Sequence, residues 1–503
     1  MAGAAKSMSL EQLKQDRKKA ALRPRRLIFN NDGDDSFCGT ATAEALLAKR
    51  TAALVGSHVD TITYSTTQST GLFTHNTKVG EVFTYNEGRL AKRNTTQAFI
   101  DQGTDNLTLM VDFCHKNNIE ILWSMRMNDT HDASPVQIGY RLSKLKKAHP
   151  EYLLGSADKR PRHGQWTGVD YTRPEIRDLV FRLFEEVCQN YDVDGIEMDF
   201  FRHPVLFKRH AMGQDCTQAE RDMMTDMMRR VRTMTERIGL KRRRPLLVAV
   251  RVPDSVGYCK AIGLDLERWL ADGLIDILAA SGYFHITPWA TTVRLGRKHG
   301  VAVFPCLSEP RLRDKQARKL RQSLACYRAR ATNAWAAGVD GVYIFNVFNP
   351  RSPLWRQLGD PVALKAMDKV YTTGARGHRS ARSFLRGGQR FVTLPKVLPE
   401  SPVSLAPGKA AAIALRVGDK PATDAAVTLQ LRVNALPDPA DLAVTLNGHP
   451  LGTGTKAKTM IDYPVPPAQV KKGINKATVT LKQGSAAKPV LVDLLLWVRT
   501  KKQ

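Results

Sequence analysis

The chain has 503 residues, 43% hydrophobic and 25% charged, which is ordinary for a soluble globular protein and too long for one ordinary core. No apolar run approaches the roughly 18 residues of a membrane span, so no membrane partner is expected. Lys and Arg number 76 against 48 Asp and Glu, a formal net charge of +28, but the charge is spread along the chain and lacks interleaved exposed aromatics, which argues against a nucleic-acid partner.

The first 24 residues are polar and basic with helical spacing, and predict a basic helix or tail. They contain no apolar segment of a secretory signal, so a cytoplasmic location is expected. Cys38, Cys114, Cys188, Cys216, Cys259, Cys306 and Cys326 are scattered and form no CxxC pair. Reduced thiols are the expectation.

Strand-like apolar runs then alternate with helical segments. RRLIFNNDGDD (25–35) precedes a helical ATAEALLAKRTAAL, and HVDTITYS (58–65) follows it. A helix near 104–118 leads to IEILWSMRMND (119–129), and one from Pro174 to Asn190 leads to VDGIEMDFF (193–201). A Met-rich helix near 218–238 precedes PLLVAVRVPDS (245–255), and IDILAASGY (275–283) and VAVFPCLSEP (301–310) come next. A helix over about 314–337 leads to VDGVYIFNVFN (339–349). Eight near-continuous apolar strands separated by helices predict parallel pairing buried on both faces. The fold class is therefore α/β: a (β/α)8 TIM barrel over residues 25–370.

The rhythm stops there. Residues 371–390 read as a Gly/Arg-rich linker, and 391–503 as short alternating strands separated by Pro, Gly and Asn turns. The expectation is a C-terminal antiparallel β-sandwich, jelly-roll-like, packed against the barrel. The densest basic runs, 241–245 and 311–321, read as a turn before a strand and as a solvated helix face.

Polar residues cluster at the C-terminal strand ends, the face where this fold places its chemistry. The motif 192–204, DVDGIEMDFFRHP, is the richest of these ends: Glu197 and Asp199 alternate with Ile196 and Met198 and so share one face. Carboxylates pointing into one cavity must be solvated, paired or catalytic. Asn30, Asp32, Tyr64, Trp123, Arg126, Asn128, Arg202, His203, Arg251, Asp254, Tyr283, His285 and Asn346 are candidate substrate-binding residues. The polar ones can bond substrate hydroxyls or clamp an anionic group, and the aromatics can stack on flat substrate faces. Asp32, Asp34 and Asp35 lack the spacing of a calcium loop, and no HExxH, phosphate loop or GxSxG elbow is present, so no metal or cofactor is expected.

The segment YDVDGIEMDFFRHP (191–204) resembles the fourth-strand signature of the bacterial glycosyl-hydrolase-like 10 group, supported by FNNDGDD (29–35) and GVYIFN (341–346). The chain departs from that pattern at Phe200 and Phe201, where a second acid and an aromatic are usual. The resemblance implies a glycosidase-like barrel acting by two carboxylates on a neutral or anionic oligo- or polysaccharide. Glycoside hydrolysis needs one protonated and one ionised carboxyl group. Asp199 is the first choice for the ionised one, with Arg126, Arg202 or Arg251 able to depress its pKa. The pairing of fourth- and seventh-strand acids that the resemblance implies makes Glu309 the other, and Glu197 competes as the acid itself or as the group orienting Asp199. The alternative is a carbohydrate-binding protein without catalysis, on the same barrel.

Overall fold

The computed structural model describes residues 8–87, 92–376, 380–394, 396–435, 437–483, 485 and 488–500. The start of the N-terminal tail (1–7), residues 377–379 of the Gly/Arg-rich segment and the last three residues of the chain lie outside the described residues.

Eight parallel strands close a barrel: β1 (Leu27–Asn31), β2 (Val59–Tyr64), β3 (Glu120–Arg126), β4 (Gly195–Asp199), β5 (Leu247–Val252), β6 (Ile277–Ala280), β7 (Ala302–Ser308) and β8 (Val342–Phe345). Each falls inside one of the eight apolar runs of the sequence. Every strand residue is buried except the partly buried Asp60, because one face of each strand packs on helices and the other fills the lumen. Gly195 opens β4 because a Cβ there would lie 2.3 Å from the Leu247 carbonyl oxygen of β5. The Asp-Gly of the motif is therefore a requirement of close strand approach.

Helix α1 (Leu10–Ala21) precedes the barrel, and α2 (Ala43–Arg50), α3 (Asn106–Lys116), α4 (Pro174–Asn190), α5 (Gln218–Arg242), α6 (Trp289–His299), α7 (Lys315–Arg321) and α8 (Leu324–Ala336) accompany its strands. The single helix expected over 314–337 is thus two. Ser323 starts the second, its hydroxyl accepting from the Cys326 N–H at 3.3 Å. At the end of α5, Arg242 bonds the Tyr191 carbonyl at 2.5 Å and Arg244 bonds Asp194 at 2.9 Å. The 241–245 run is therefore not a solvated patch; part of it pins the segment that leads into β4. No helix among the described residues is long and apolar enough to cross a membrane. All seven cysteines are free and buried.

The C-terminal strands form two antiparallel sheets: β9 (Lys369–Thr372), β10 (Val403–Ser404), β11 (Ala410–Val417), β12 (Ala426–Asn434), β13 (Leu442–Leu446), β14 (His449–Pro450), β15 (Thr455–Ala457), β16 (Met460–Val465), β17 (Gly473–Leu481) and β18 (Val490–Arg499). One sheet runs β9-β18-β12-β16-β15 with β10 also on β18, and the other runs β11-β17-β13-β14. Leu429, Leu431, Val479, Leu494 and Leu496 share one core between them, joined by Ala329 of α8. Strand β9 pairs Lys369 with Val498, so sheet structure begins before the expected linker. Four residues are too few to show alternation in sequence. The expected linker also contains a helical turn, α9 (Ala381–Phe384), whose Phe384 and Leu385 are buried against the barrel.

The seam between barrel and sandwich is held by charge. Arg321 of α7 donates to both oxygens of Asp493 on β18, at 2.7 and 2.8 Å, and Arg432 on β12 does the same to Asp314, at 2.9 and 2.8 Å. Most basic residues of the 311–321 run form the solvated face expected, while Arg321 and Asp314 within it clamp the two parts. The Arg321–Asp493 pair is fully buried, with side-chain exposures of 0% and 2%. Removing one partner leaves an uncompensated buried charge. Asp493→Ala is expected to destabilise the chain by about 3–5 kcal/mol in denaturant titration, and an Arg321→Met, Asp493→Leu double variant to recover most of that loss.

Candidate active site at the mouth of the barrel

Strand parity decides what enters the lumen. Ser124 lies beside Glu197, and Asp199 lies between Arg126 and Arg251, in the register of β3, β4 and β5. All of these face inward, while the alternate residues face the helices. Glu197 Oε2 accepts from the Ser124 hydroxyl at 2.5 Å and the Tyr343 hydroxyl at 3.1 Å, and Oε1 has no partner. Asp199 is gripped from two sides. Arg251 donates through Nε at 3.0 Å and Nη2 at 2.5 Å, and the backbone N–H groups of Phe201 and Arg202 donate at 3.0 and 2.9 Å.

The two carboxyl groups consequently differ in protonation chemistry. Burial, and then the charge of Asp199, push the Glu197 carboxyl up to about 7, against the lowering effect of Arg251. Asp199 has a guanidinium partner that Glu197 lacks. Burial alone would lower the Arg251 pKa, but Asp199 holds it well above its ordinary value, so Arg251 stays charged. Arg251 also lies 3.8 Å over the Phe345 ring.

A second set of acids follows β1. Asp32, Asp34 and Asp35 converge on Arg50 of α2: Asp32 by a short hydrogen bond, Asp34 at 3.3 Å and Asp35 at 3.7 Å. A guanidinium sits where a calcium ion would need to be. Gly33, at φ +80°, makes this turn; a Cβ there would collide with the Ser65 carbonyl oxygen at 1.7 Å. Burial raises the Asp32 carboxyl, but Arg50, Arg126 and Arg202 outweigh it and hold the group below its usual value. Asp34 is raised by desolvation in this concave setting and by Asp32, although its side chain stays 42% exposed.

Past β3, Asp129, His131 and His203 bring one ligand atom each within 4.8 Å of one another, a possible metal trio. Its charge setting does not suit a dication. Arg126 donates to Asp129 at 2.8 Å, and Arg202 meets His131 Nε2 at 3.2 Å. Two guanidiniums already supply positive charge to the trio.

Above these groups opens a cleft of about 550 Å³, walled by Arg160, Arg202, Arg311, His131, His203 and Tyr283. Phe384 of α9 stacks on Tyr283 at 5.3 Å and closes one side. Among its described lining residues the cleft has no carboxylate. Its floor includes Arg202, whose guanidinium lies 5.5 Å over Phe345, the ring that also receives Arg251.

Of the sequence candidates, Arg202, His203 and Tyr283 line this cleft, and Arg126, Arg251 and Asp32 lie in the charge network beneath it. Asn30 faces the lumen and donates to Thr63 at 3.1 Å. Asn346, at φ +59° and 5% exposed, leaves both side-chain atoms without a partner. Others lie elsewhere. Trp123 has outward parity on β3 and packs at 5.4 Å on Phe184 of α4, its Nε1 donating to Thr66, so it is core and not a sugar platform. Tyr64 has outward parity too and is fully buried. Asn128 is spent on the backbone of Val169 and Val205, and Asp254 accepts the N–H groups of Ile286 and Thr287. Both therefore fix loops rather than face substrate. His285 stacks on Trp289 at 3.6 Å in a different cavity. Glu309 is one-third exposed and tied to Arg311 at 3.1 Å and Gln322 at 3.3 Å, away from the Glu197–Asp199 pair's own partners.

Arg50, Asp129, His131, Arg160 and Arg311 belong to the mouth and escaped the sequence reading. Asp129 and His131 carried a signal, since one ends the third apolar run and the other lies two residues past it. Arg50, on a helix, and Arg160, in a long connection, carried none.

The Glu197 shift gives a stability test. A carboxyl whose folded value lies above its unfolded value of 4.5 favours folding when protonated, and that contribution is lost as pH rises from about 4.5 through about 7. Glu197→Gln is therefore expected to be no more stable than wild type at pH 4 but progressively more stable relative to it toward pH 8, read as the difference in melting temperature. A difference independent of pH would contradict the assignment.

Part of the chain is similar to known proteins. Residues 73–225 match the family model described as Glycosyl hydrolase-like 10. Over 116 residues the chain is 28% identical to the glycosyl hydrolase YngK of Bacillus subtilis, covering 21% of this chain and 19% of that protein. The chain thus matches about one fifth of the length of this curated relative. Among solved structures, the glycoside hydrolase domain of PgaB (BpsB) from Bordetella bronchiseptica superposes with a TM-score of 0.40 at 11% identity, covering 68% of this chain and 99% of that one. The alpha-L-fucosidase isoenzyme 2 from Paenibacillus thiaminolyticus gives 0.38 at 15% identity, covering 68% and 48%. The segment that contains β3, β4 and their mouth loops therefore carries the signature of the glycosyl hydrolase-like 10 family, the group that its fourth-strand motif resembles.

Proposed function

We propose that this chain is a glycoside hydrolase working at the mouth of its barrel, with Glu197 as the protonated carboxyl and Asp199 as the ionised one. The observation that carries this reading is the split within one strand: Glu197 raised to about 7, and Asp199 two residues on bound by Arg251. Acid and base roles separate in this way when two carboxyl groups have different surroundings. The protonated group can assist the departing glycosidic oxygen while the ionised one stabilises positive charge at the anomeric carbon or attacks it. The reading requires Arg202 to swing off Phe345 so that a sugar ring reaches Asp199, and the unpartnered amide of Asn346 is then available to a sugar hydroxyl.

The wall supports an anionic substrate. Arg160, Arg202 and Arg311, with His131 and His203, suit uronic or sulfated sugars, since a guanidinium can fork onto a carboxylate or sulfate. In a screen of neutral, uronic and sulfated oligosaccharides, turnover is expected on an acidic member. Asp199→Asn and Glu197→Gln should each lower it about 10²- to 10⁴-fold. The wild-type rate should fall as pH rises above about 7, where Glu197 loses its proton.

One observation favours a second reading, carbohydrate binding without hydrolysis. Glu197 and Asp199 are 0% and 2% exposed, and no carboxylate lines the cleft among its described residues. Wild-type binding of an oligosaccharide in the same screen with no turnover at any pH from 4 to 9 would select that reading.

A further inference from the structure

A second cavity, of about 370 Å³, lies at the seam between barrel and sandwich. Its walls come from both: the loop after β6, α8, the connecting segment, and β11. Four cations face it, Arg330, Arg376, Lys396 and Arg416, and its described lining includes no Asp or Glu. Among the described residues none of the four has a carboxylate within ion-pair distance, in a chain where most other buried arginines do.

Arg376 is the telling member. It is 7% exposed, and one nitrogen, Nη1, donates to the Gly282 carbonyl at 3.2 Å while Nε and Nη2 have no partner. Arg330 Nη1 is likewise unpartnered. Burial first, and Arg311 after it, pull the Arg376 pKa down to about 9, the response of a guanidinium without a counter-charge. A buried unpaired charge is strongly unfavourable unless something completes it. Asp254 does not, since it is held behind His285 by the Ile286 and Thr287 N–H groups.

The rest of the wall is mixed, with polar side chains such as Ser308, Asn333, Thr372 and Thr393 on part of it and an aromatic and apolar side. His285 and Trp289 stack within 9° of parallel, and Leu307, Leu415 and Ile474 complete that side. The volume exceeds what a bare ion needs and falls in the range of small-molecule sites.

We propose that this seam cavity binds a ring-bearing oxyanion, a sugar acid or sugar phosphate whose charge sits among Arg330, Arg376, Lys396 and Arg416 and whose ring lies along the His285–Trp289 side. The site goes beyond the hydrolase reading and does not require it. It would tie occupancy to the barrel–sandwich contact, because Arg330 belongs to one part and Arg416 to the other.

Isothermal titration of the full chain with glucuronate, glucose 6-phosphate, inorganic phosphate and glucose tests it. Glucuronate or glucose 6-phosphate should bind, glucose should not, and inorganic phosphate should bind more weakly than the better sugar ligand. Arg376→Met and the exposed Arg416→Gln should each weaken that ligand at least about tenfold, the loss of one charge-assisted bond. The Arg416 side chain is exposed, so this variant keeps the test alive if Arg376→Met fails to fold. Lys409→Gln, an exposed lysine of the sandwich outside both cavities, should leave binding unchanged. The proposal is overturned if neither charged sugar binds, if phosphate binds as tightly as both, if glucose binds as well as they do, or if affinity is lost with Lys409→Gln and kept with Arg416→Gln. Since the titration reads heat of binding and needs no turnover, its failure would leave the hydrolase reading standing.

Discussion

A charge buried in the lumen of a closed barrel must find its counter-charge within two strands, and the Asp199–Arg251 pair is where this molecule meets that constraint. Asp199 and Arg251 are partners in the β4–β5 register, so the same backbone ladder that closes the barrel sets their hydrogen bonds. Burial and the neighbouring Asp199 push Glu197, one layer below, toward neutrality, while the Ser124 and Tyr343 hydroxyls donate to its Oε2. Arg251 in turn covers Phe345, and Phe345 supports Arg202, which forms part of the cleft floor. The chemistry available at the mouth is thus set two layers down.

Each buried ion pair cancels one arginine with one acid, so the basic excess of +28 rests on the remaining groups. Many of the arginines are internal ties rather than a surface field: Arg25 on Glu120, Arg50 on the β1 acids, Arg126 on Asp129, Arg232 on Asp276 and Arg321 on Asp493. A planar guanidinium with several donors suits these places because it can satisfy a carboxylate and backbone carbonyls at once, as Arg25 does with Glu120 and the carbonyls of Ala20 and Ala21. Against that background, the matched arginines read as scaffold. Arg160 and Arg202 in the mouth cleft and the cations at the seam have no carboxylate in ion-pair contact among the described residues, and mark surfaces suited to an anion.

The motif itself divides into roles. Gly195 permits strand approach, Ile196 and Met198 feed the barrel–helix core, and Glu197 and Asp199 feed the lumen. Phe200 and Phe201, the departure from the family pattern, are both fully buried; Phe201 packs on Tyr283 at 5.8 Å and Phe284 at 4.8 Å. They turn the end of β4 into aromatic core.

The barrel was legible in the sequence because a parallel strand buried on both faces has to be a continuous apolar run, and eight such runs with helices between them admit few other folds. Parity along those runs also held the inward set, Ser124, Arg126, Glu197, Asp199 and Arg251, and would have sorted Trp123 and Tyr64 to the outside had it been applied to every strand. Partner identity was not legible. Whether Asp199 meets Arg126, Arg202 or Arg251 depends on register across strands some fifty residues apart, and whether Glu309 faces the acids or ties to Arg311 depends on the path of a loop. The seam cavity, built from residues on seven separate stretches of chain, left no local signal at all. Hydrophobic periodicity is a property of neighbours in the chain, so sequence carries it; the pairing and burial of charge are properties of neighbours in space, and only the closed barrel and its docked sandwich decided them.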